Sequence, residues 1–217
     1  FSSPATQAEV QAMVDAVNNI GKDTTTAVVD VVSTTGKIWM DRNLGATQVA
    51  TSSTDAAAYG DMYQWGRAAD GHQLRTSATT STLATTSTPG HGDFIISTAS
   101  PHDWLTTKDD TLWQGVSGTN NPCPIGYRLP TETELENERS SWGSNNIAGA
   151  FASVLKLTLG GYRNGGAGTV FLLGEGGNYW SSTVSGTDAR YLYANGSSSE
   201  TGSSVRSNAI SLRCIKK

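Results

Sequence analysis

The strongest constraint on this chain is how little of it can be helix. Of its 217 residues 24 are glycine, and charged residues make up 16% where about a quarter is usual. Glycine in a helix interior costs about 1 kcal/mol relative to alanine, and serine and threonine hydroxyls compete for the helical backbone's hydrogen bonds. Such a balance favours strands and loops. At this length the chain is expected to form one large domain with a short appendage.

Helix signals gather in a few places. In "SSPATQAEVQAMVDAVNNIG" Ser3 is placed to cap, Pro4 suits the first helical position and Gly21 suits the exit. Val10, Met13, Val14, Val17 and Ile20 recur on one face, which predicts an amphipathic helix of about four turns. That helix either packs on the body of the domain or serves as a stalk or oligomer seam. A short helix is expected near "DAAAYGDMYQWGRAADG", with Tyr59, Met62, Tyr63 and Trp65 as core. Further on, Thr131 and Glu134 form a capping box that opens a helix carrying Leu135 inward. Glu132, Glu134, Glu136 and Glu138 then read as a favourable first turn and a solvated face, not as catalytic carboxylates.

The remainder reads as strands and turns. "TAVVDVVSTTGKIWMDRNLG" predicts a hairpin turning at Thr35-Gly36, and later turns fall at Gly160-Gly161 and Asn164-Gly165. "ARYLYAN" and "NAISLRCIK" add two strands around a loose serine-rich connection. In the second, Ile210, Leu212 and Cys214 share the face expected in the core, and Ser211 and Arg213 share the other. The register of the first stays open, because Tyr191 and Leu192 can each point inward. From Thr76 to Thr88 ten of thirteen residues are serine or threonine, which predicts a long surface loop.

A net charge of -4 and the lack of any lysine-arginine run argue against nucleic acid or anionic lipid as a partner. No apolar run approaches the roughly 18–20 residues of a membrane span. Because the chain opens on Phe1, trimmed upstream sequence is expected, together with any signal or anchor it carried. His72, His91 and His102 lie beside Asp70, Asp93 and Asp103, but their spacings fit no metal motif, so neither metal nor cofactor is expected. Cys123 and Cys214 are the two cysteines and form no CxxC pair. They are either one disulfide, suited to an oxidising compartment, or two buried thiols.

Three separated blocks carry a family resemblance: "GKIWMDRNLGAT" with "YGDMYQWGRAADGHQ", then "CPIGYRLPTETEL", then "GGYR" through "YWSST" to "SLRC". From about Gly36 to the C-terminus the chain resembles the Fibrobacter succinogenes major paralogous domain, a secreted or surface-associated module of C-type-lectin-like fold. The resemblance divides the chain into an N-terminal helix and lead-in strand, residues 1–35, and a C-type-lectin-like domain, residues 36–217. It implies an α+β fold with two main helices, a small twisted antiparallel sheet and long irregular loops. Cys123 and Cys214 match the positions that would pair.

Members of this fold also serve as variable proteins of diversity-generating retroelements, whose rewritten C-terminal residues form a ligand-binding face. The resemblance therefore implies a non-enzymatic recognition module with its contacts in the serine-rich tail. Asp188, Arg190, Tyr193, Asn195, Ser197, Ser199, Ser203, Ser204 and Asn208 are the expected ligand-binding residues, with Arg190 and Tyr193 as anchors. The expected partner is a protein or glycan on another cell or particle, and the expected location is extracellular, at a cell surface or on a virion. The "RLPTETEL" run is also similar to one in the formylglycine-generating enzyme family, with Leu135 where that family has an aromatic residue. An oxidase of that kind is one alternative. A calcium-dependent sugar-binding lectin is the other, although the EPN and WND tripeptides of such lectins are absent.

Overall fold

The computed structural model describes residues 5–217. Its elements are α1 (Gln7–Asn18), β1 (Asp30–Val32), β2 (Ile38–Met40), a 3-10 turn at Ala56–Ala58, β3 (Tyr63–Gln64), β4 (Thr79–Thr80), β5 (Phe94–Ile95) and β6 (Tyr127–Arg128). There follow α2 (Glu132–Ser140), α3 (Ile147–Ala152), β7 (Tyr162–Arg163), β8 (Val170–Phe171), β9 (Gly176–Ser185), β10 (Asp188–Asn195), β11 (Ser199–Val205), β12 (Ala209–Ile210) and β13 (Ile215–Lys216). The architecture is mixed α+β, with three α-helices among the described residues and several small sheets, antiparallel except for the β4–β5 pair.

The first helix starts later than its sequence suggests. Thr6 is the N-cap, and its hydroxyl and Glu9 complete a capping box; Ser3 and Pro4 lie outside the described residues. No α1 residue is buried, and Val10, Met13, Val14, Val17 and Ile20 are between 46% and 75% exposed. The apolar stripe therefore does not pack on the body of the domain.

The two ends of the body meet in one sheet, ordered β1-β2-β13-β6. Gly36, at φ +77°, makes the expected turn between β1 and β2, and Ile215 of β13 pairs with Trp39 on one side and Arg128 on the other. Cys214 precedes β13 and Cys123 precedes β6; the two form a disulfide with no exposure at all. It lies in a core with Met40, Leu44, Trp65, Trp113, Leu129 and Trp180. That settles the cysteine alternatives in favour of one bond.

On a second core, the sheet ordered β11-β10-β9 packs against the helices. Leu135 of α2, Ile147 and Ala150 of α3, and Tyr179, Leu192 and Ala194 of the sheet meet there with Trp39 and Ile215. The Thr131–Glu134 capping box opens α2 as its sequence indicates. Tyr59, Met62, Tyr63 and Trp65 are buried, though only one 3-10 turn precedes them.

Two expectations need correction. Ser211 and Arg213 are 1% and 2% exposed: the expected single strand is split into β12 and β13, in different sheets, and the segment between them runs buried between two cores. The Arg213 guanidinium donates to Asn43 Oδ1 and to the Leu155 and Met40 carbonyls. The Thr76–Thr88 tract also does more than loop over the surface. Thr79 and Thr80 pair with Phe94 and Ile95, and Ala84 is buried beside Ile95, Trp104, Leu105 and Leu112.

Candidate functional site

The β9–β11 sheet has two different faces, and strand alternation assigns its side chains between them. Along β10, Arg190, Leu192 and Ala194 share the helix side, whereas Ala189, Tyr191 and Tyr193 share the other. Both candidates for the inward position are therefore turned toward protein. Leu192 enters the helix-side core, and Tyr191 sets its ring edge-on to Trp180 at 6.1 Å. A register shift in the β9–β10 pairing falls between Ala189 and Tyr191, so that Tyr191 pairs with Trp180 and Tyr193 with Asn178. Across β11 the partners of Tyr191 and Tyr193 are Gly202 and Glu200.

Residues of that second face line an open hollow of about 300 Å³. Tyr191, Tyr193, Asn178, Glu200 and Ser204 come from the sheet; Tyr162, Leu172, Asn208 and Ile210 form the opposite wall. Tyr162 is stacked on Phe171 with ring centroids 5.9 Å apart. Two glycines let the Tyr191 and Tyr193 rings lie against neighbouring strands. A Cβ on Gly202 would stand 3.1 Å from Tyr191 Cε1, and one on Gly176 would stand 3.0 Å from Tyr193 Cε2.

Glu200 is the sole charged group lining the hollow. Burial, then the neighbouring Glu200, Tyr193 and Tyr162, push the Tyr191 phenol above its ordinary value, so it remains a hydrogen-bond donor at neutral pH. Asn178 is 5% exposed, and its Nδ2 has no hydrogen-bond partner. A buried amide donor left unpaired costs about 1–3 kcal/mol.

The structure brings some of the expected residues to this hollow and not others. Tyr193, Ser204 and Asn208 line it. Asn195 stands at the rim, where its Nδ2 donates to Tyr193 Oη at 3.1 Å and its Oδ1 accepts from the Ser197 and Ser198 amides at 2.8 Å. Ser197 is exposed on the turn so fixed. Register puts Asp188, Arg190, Ser199 and Ser203 on the helix side. There Arg190 is paired with Glu132, and Ser199, 3% exposed, donates to Asn145 Oδ1 at 2.5 Å. Ser203 is exposed but apart from the tyrosines. Tyr162, Leu172, Asn178, Tyr191 and Glu200 were not among the expected residues. Alternation from Tyr193 reaches Tyr191; the others need the strand pairing, which no local pattern gives.

Elsewhere the acidic groups serve the fold. Glu132, Glu134 and Glu136 pair with Arg190, Arg128 and Arg139, and Glu138 is buried at 1% exposure. His72 is buried with Nδ1 2.6 Å from Asp70, and burial pushes it down to about 4, so it is neutral at physiological pH. Among the described residues no three His, Cys, Asp or Glu side chains stand together as a metal site, and no helix is long and apolar enough to cross a membrane. Comparison with family models, with characterised proteins and with solved structures finds no match to this chain.

Proposed function

We propose that this chain is a non-enzymatic ligand-binding module, with the tyrosine-lined hollow on the C-terminal sheet as its contact face. The observation that carries the reading is the pairing of an open aromatic hollow with a sheet whose opposite face is locked into the core. Ligand-facing side chains there can differ without unfolding the domain, because the inward ones hold it. The unpaired Asn178 amide supports a polar ligand, and aromatic rings with small polar neighbours suit recognition surfaces.

The scaffold is read as a C-type-lectin-like fold. Supporting this are the meeting of both ends of the body in one sheet, the helices packed on the C-terminal sheet, and the disulfide beside their junction. In this reading the chain acts like a variable protein of a diversity-generating retroelement, displayed outside the cell at a surface or on a virion, where a disulfide persists. An oxidase of the formylglycine-generating kind is disfavoured, since both cysteines are bonded to each other and wholly buried.

The test is binding by a multivalent form of the purified protein to immobilised glycans, peptides and whole cells, beside Tyr193→Ala. Binding lost in the variant at unchanged Tm supports the reading. Binding retained in the variant, or none to any surface, contradicts it.

A further inference from the structure

We propose that a second hollow beside the tyrosines continues the site, and that together they bind a neutral oligosaccharide without a divalent cation. This rests on the binding reading above and adds the ligand's class. The second hollow measures about 400 Å³ and is lined by Ser97, Thr98, His102, Asn164 and Ser207, among others. Both hollows sit at the lower end of the roughly 300–1,000 Å³ typical of small-ligand sites.

Asn208 lines both, and it is held in place from two sides. Its Oδ1 accepts from the Gly165 amide at 2.7 Å, and its Nδ2 donates to Ser204 Oγ at 2.9 Å. The two hollows are thus halves of one groove divided by a fixed amide ridge. In the first half the buried Asn178 has an unpaired Nδ2, whereas Ser207 under the second half has no exposure and keeps its Oγ against Gly165. Buried polar atoms of this sort are few in folded proteins.

The lining chemistry selects the ligand. No lysine, arginine or aspartate lines either half, and Glu200 is the single carboxylate, so an acidic ligand finds no counter-charge. Tyr162, Tyr191 and Tyr193 line the first half, and aromatic rings suit the C–H side of a sugar ring. Glu200 and the amides offer acceptors and donors to its hydroxyls, each of which can both give and take a hydrogen bond. The second half has hydroxyl, amide and imidazole groups with Val205 as its one aliphatic side chain, so it suits a further hydroxylated ring better than an apolar side chain. An extended peptide would be expected to pair along an open strand edge. The groove instead lies over the sheet face and beyond the end of β11, not along it.

The experiment presents short neutral oligosaccharides, their constituent monosaccharides, acidic glycans and a peptide library to the protein in EDTA, with Tyr193→Ala and Thr98→Trp beside wild type. Thr98 is exposed, so a tryptophan there fills the second half without disturbing the core. The expected result is binding of neutral oligosaccharides about tenfold or more tighter than the matching monosaccharides. Thr98→Trp should remove that advantage and leave monosaccharide binding intact, whereas Tyr193→Ala should abolish both. Equal affinity for short and long sugars, or no effect of Thr98→Trp, overturns the second subsite. Binding of peptides or acidic glycans alone, lost in Tyr193→Ala, overturns the sugar assignment and leaves the binding reading standing. A requirement for calcium, or no glycan binding, overturns the inference.

Discussion

Arg190 donates from both Nε and Nη2 to one carboxylate oxygen of Glu132, at 2.7 and 2.5 Å, and so ties the middle strand of the C-terminal sheet to the first turn of α2. The pair lies on the sheet's helix side, away from the tyrosines. Both side chains are 27% exposed, which puts the pair near the weak end for ion pairs. Arg190→Ala should therefore cost at most about 1 kcal/mol in urea unfolding and leave ligand binding within about twofold of wild type. Loss of binding at unchanged stability would make Arg190 a contact residue.

Gly202 is where the hollow's shape can be changed from beneath. A methyl group there meets the Tyr191 ring at 3.1 Å and has to push it outward. Gly202→Ala should lower binding while changing Tm by only a few degrees, since its one methyl meets only Tyr191, a partly buried side chain at the edge of the core. Unchanged binding would mean that the ring position does not matter to the ligand.

The disulfide joins residues 91 apart. Loop-closure entropy makes such a bond worth about 4–5 kcal/mol, and Cys123→Ala with Cys214→Ala should lower Tm by roughly 10–20 °C. Thermal unfolding followed by circular dichroism checks this. A shift of only a degree or two would mean that the paired strands already hold the ends together.

Burial pushes the Asp61 carboxyl up to about 6, with the nearby Asp23 adding to the rise. An acid whose folded value exceeds its unfolded one, near 3.8, contributes stability below about pH 4 and loses it as pH rises toward 6. His72, pushed down to about 4, has the opposite slope over nearly the same window, losing stability as pH falls from 6.5. The two largely cancel in the natural chain. Asp61→Asn should stabilise the protein at pH 7 by roughly 1–2 kcal/mol, discounted for partial exposure, and by nothing near pH 4. It should also reveal the His72 slope as a steeper loss between pH 6.5 and 4.5. Denaturant midpoints across that range decide it; a benefit that persists at pH 4 would contradict the assignment.

Because no α1 residue is buried, removing residues 1–18 should leave the Tm of the body within a few degrees. A large drop would show that the helix covers part of the body in solution.

What was legible in the sequence follows from physical range. Capping boxes act over three residues, so α2 appeared at Thr131 and Glu134 and was found there. The β1–β2 hairpin was equally local, marked by Gly36 between a β-branched run and "KIWM". The segment between β12 and β13 misled, because period-two alternation assumes one continuous strand with a wet face and Arg213 has neither. Its buried guanidinium is satisfied by Asn43 and two carbonyls, all far away in the chain. The site was half legible for the same reason. A serine- and tyrosine-rich tail pointed to Tyr193, Ser204 and Asn208, but placing Asn178 and Glu200 opposite Tyr193 takes the sheet's register, and bringing Tyr162 across takes a further sheet, ordered β3-β12-β7-β8. Ser199 and Arg190 look alike in sequence to residues of the open face and differ only in the side of the strand they occupy.

Hydrogen exchange read by mass spectrometry, on the protein alone and with its strongest binder from the array, addresses the binding face itself. The proposed face predicts slow exchange across residues 176–205 in the free protein and added protection on binding limited to that sheet, residues 162–172, residues 207–210 and residues 97–102. Fast exchange through the sheet in the free state, or protection gathered on α1 or the Thr76–Thr88 tract instead, would contradict it.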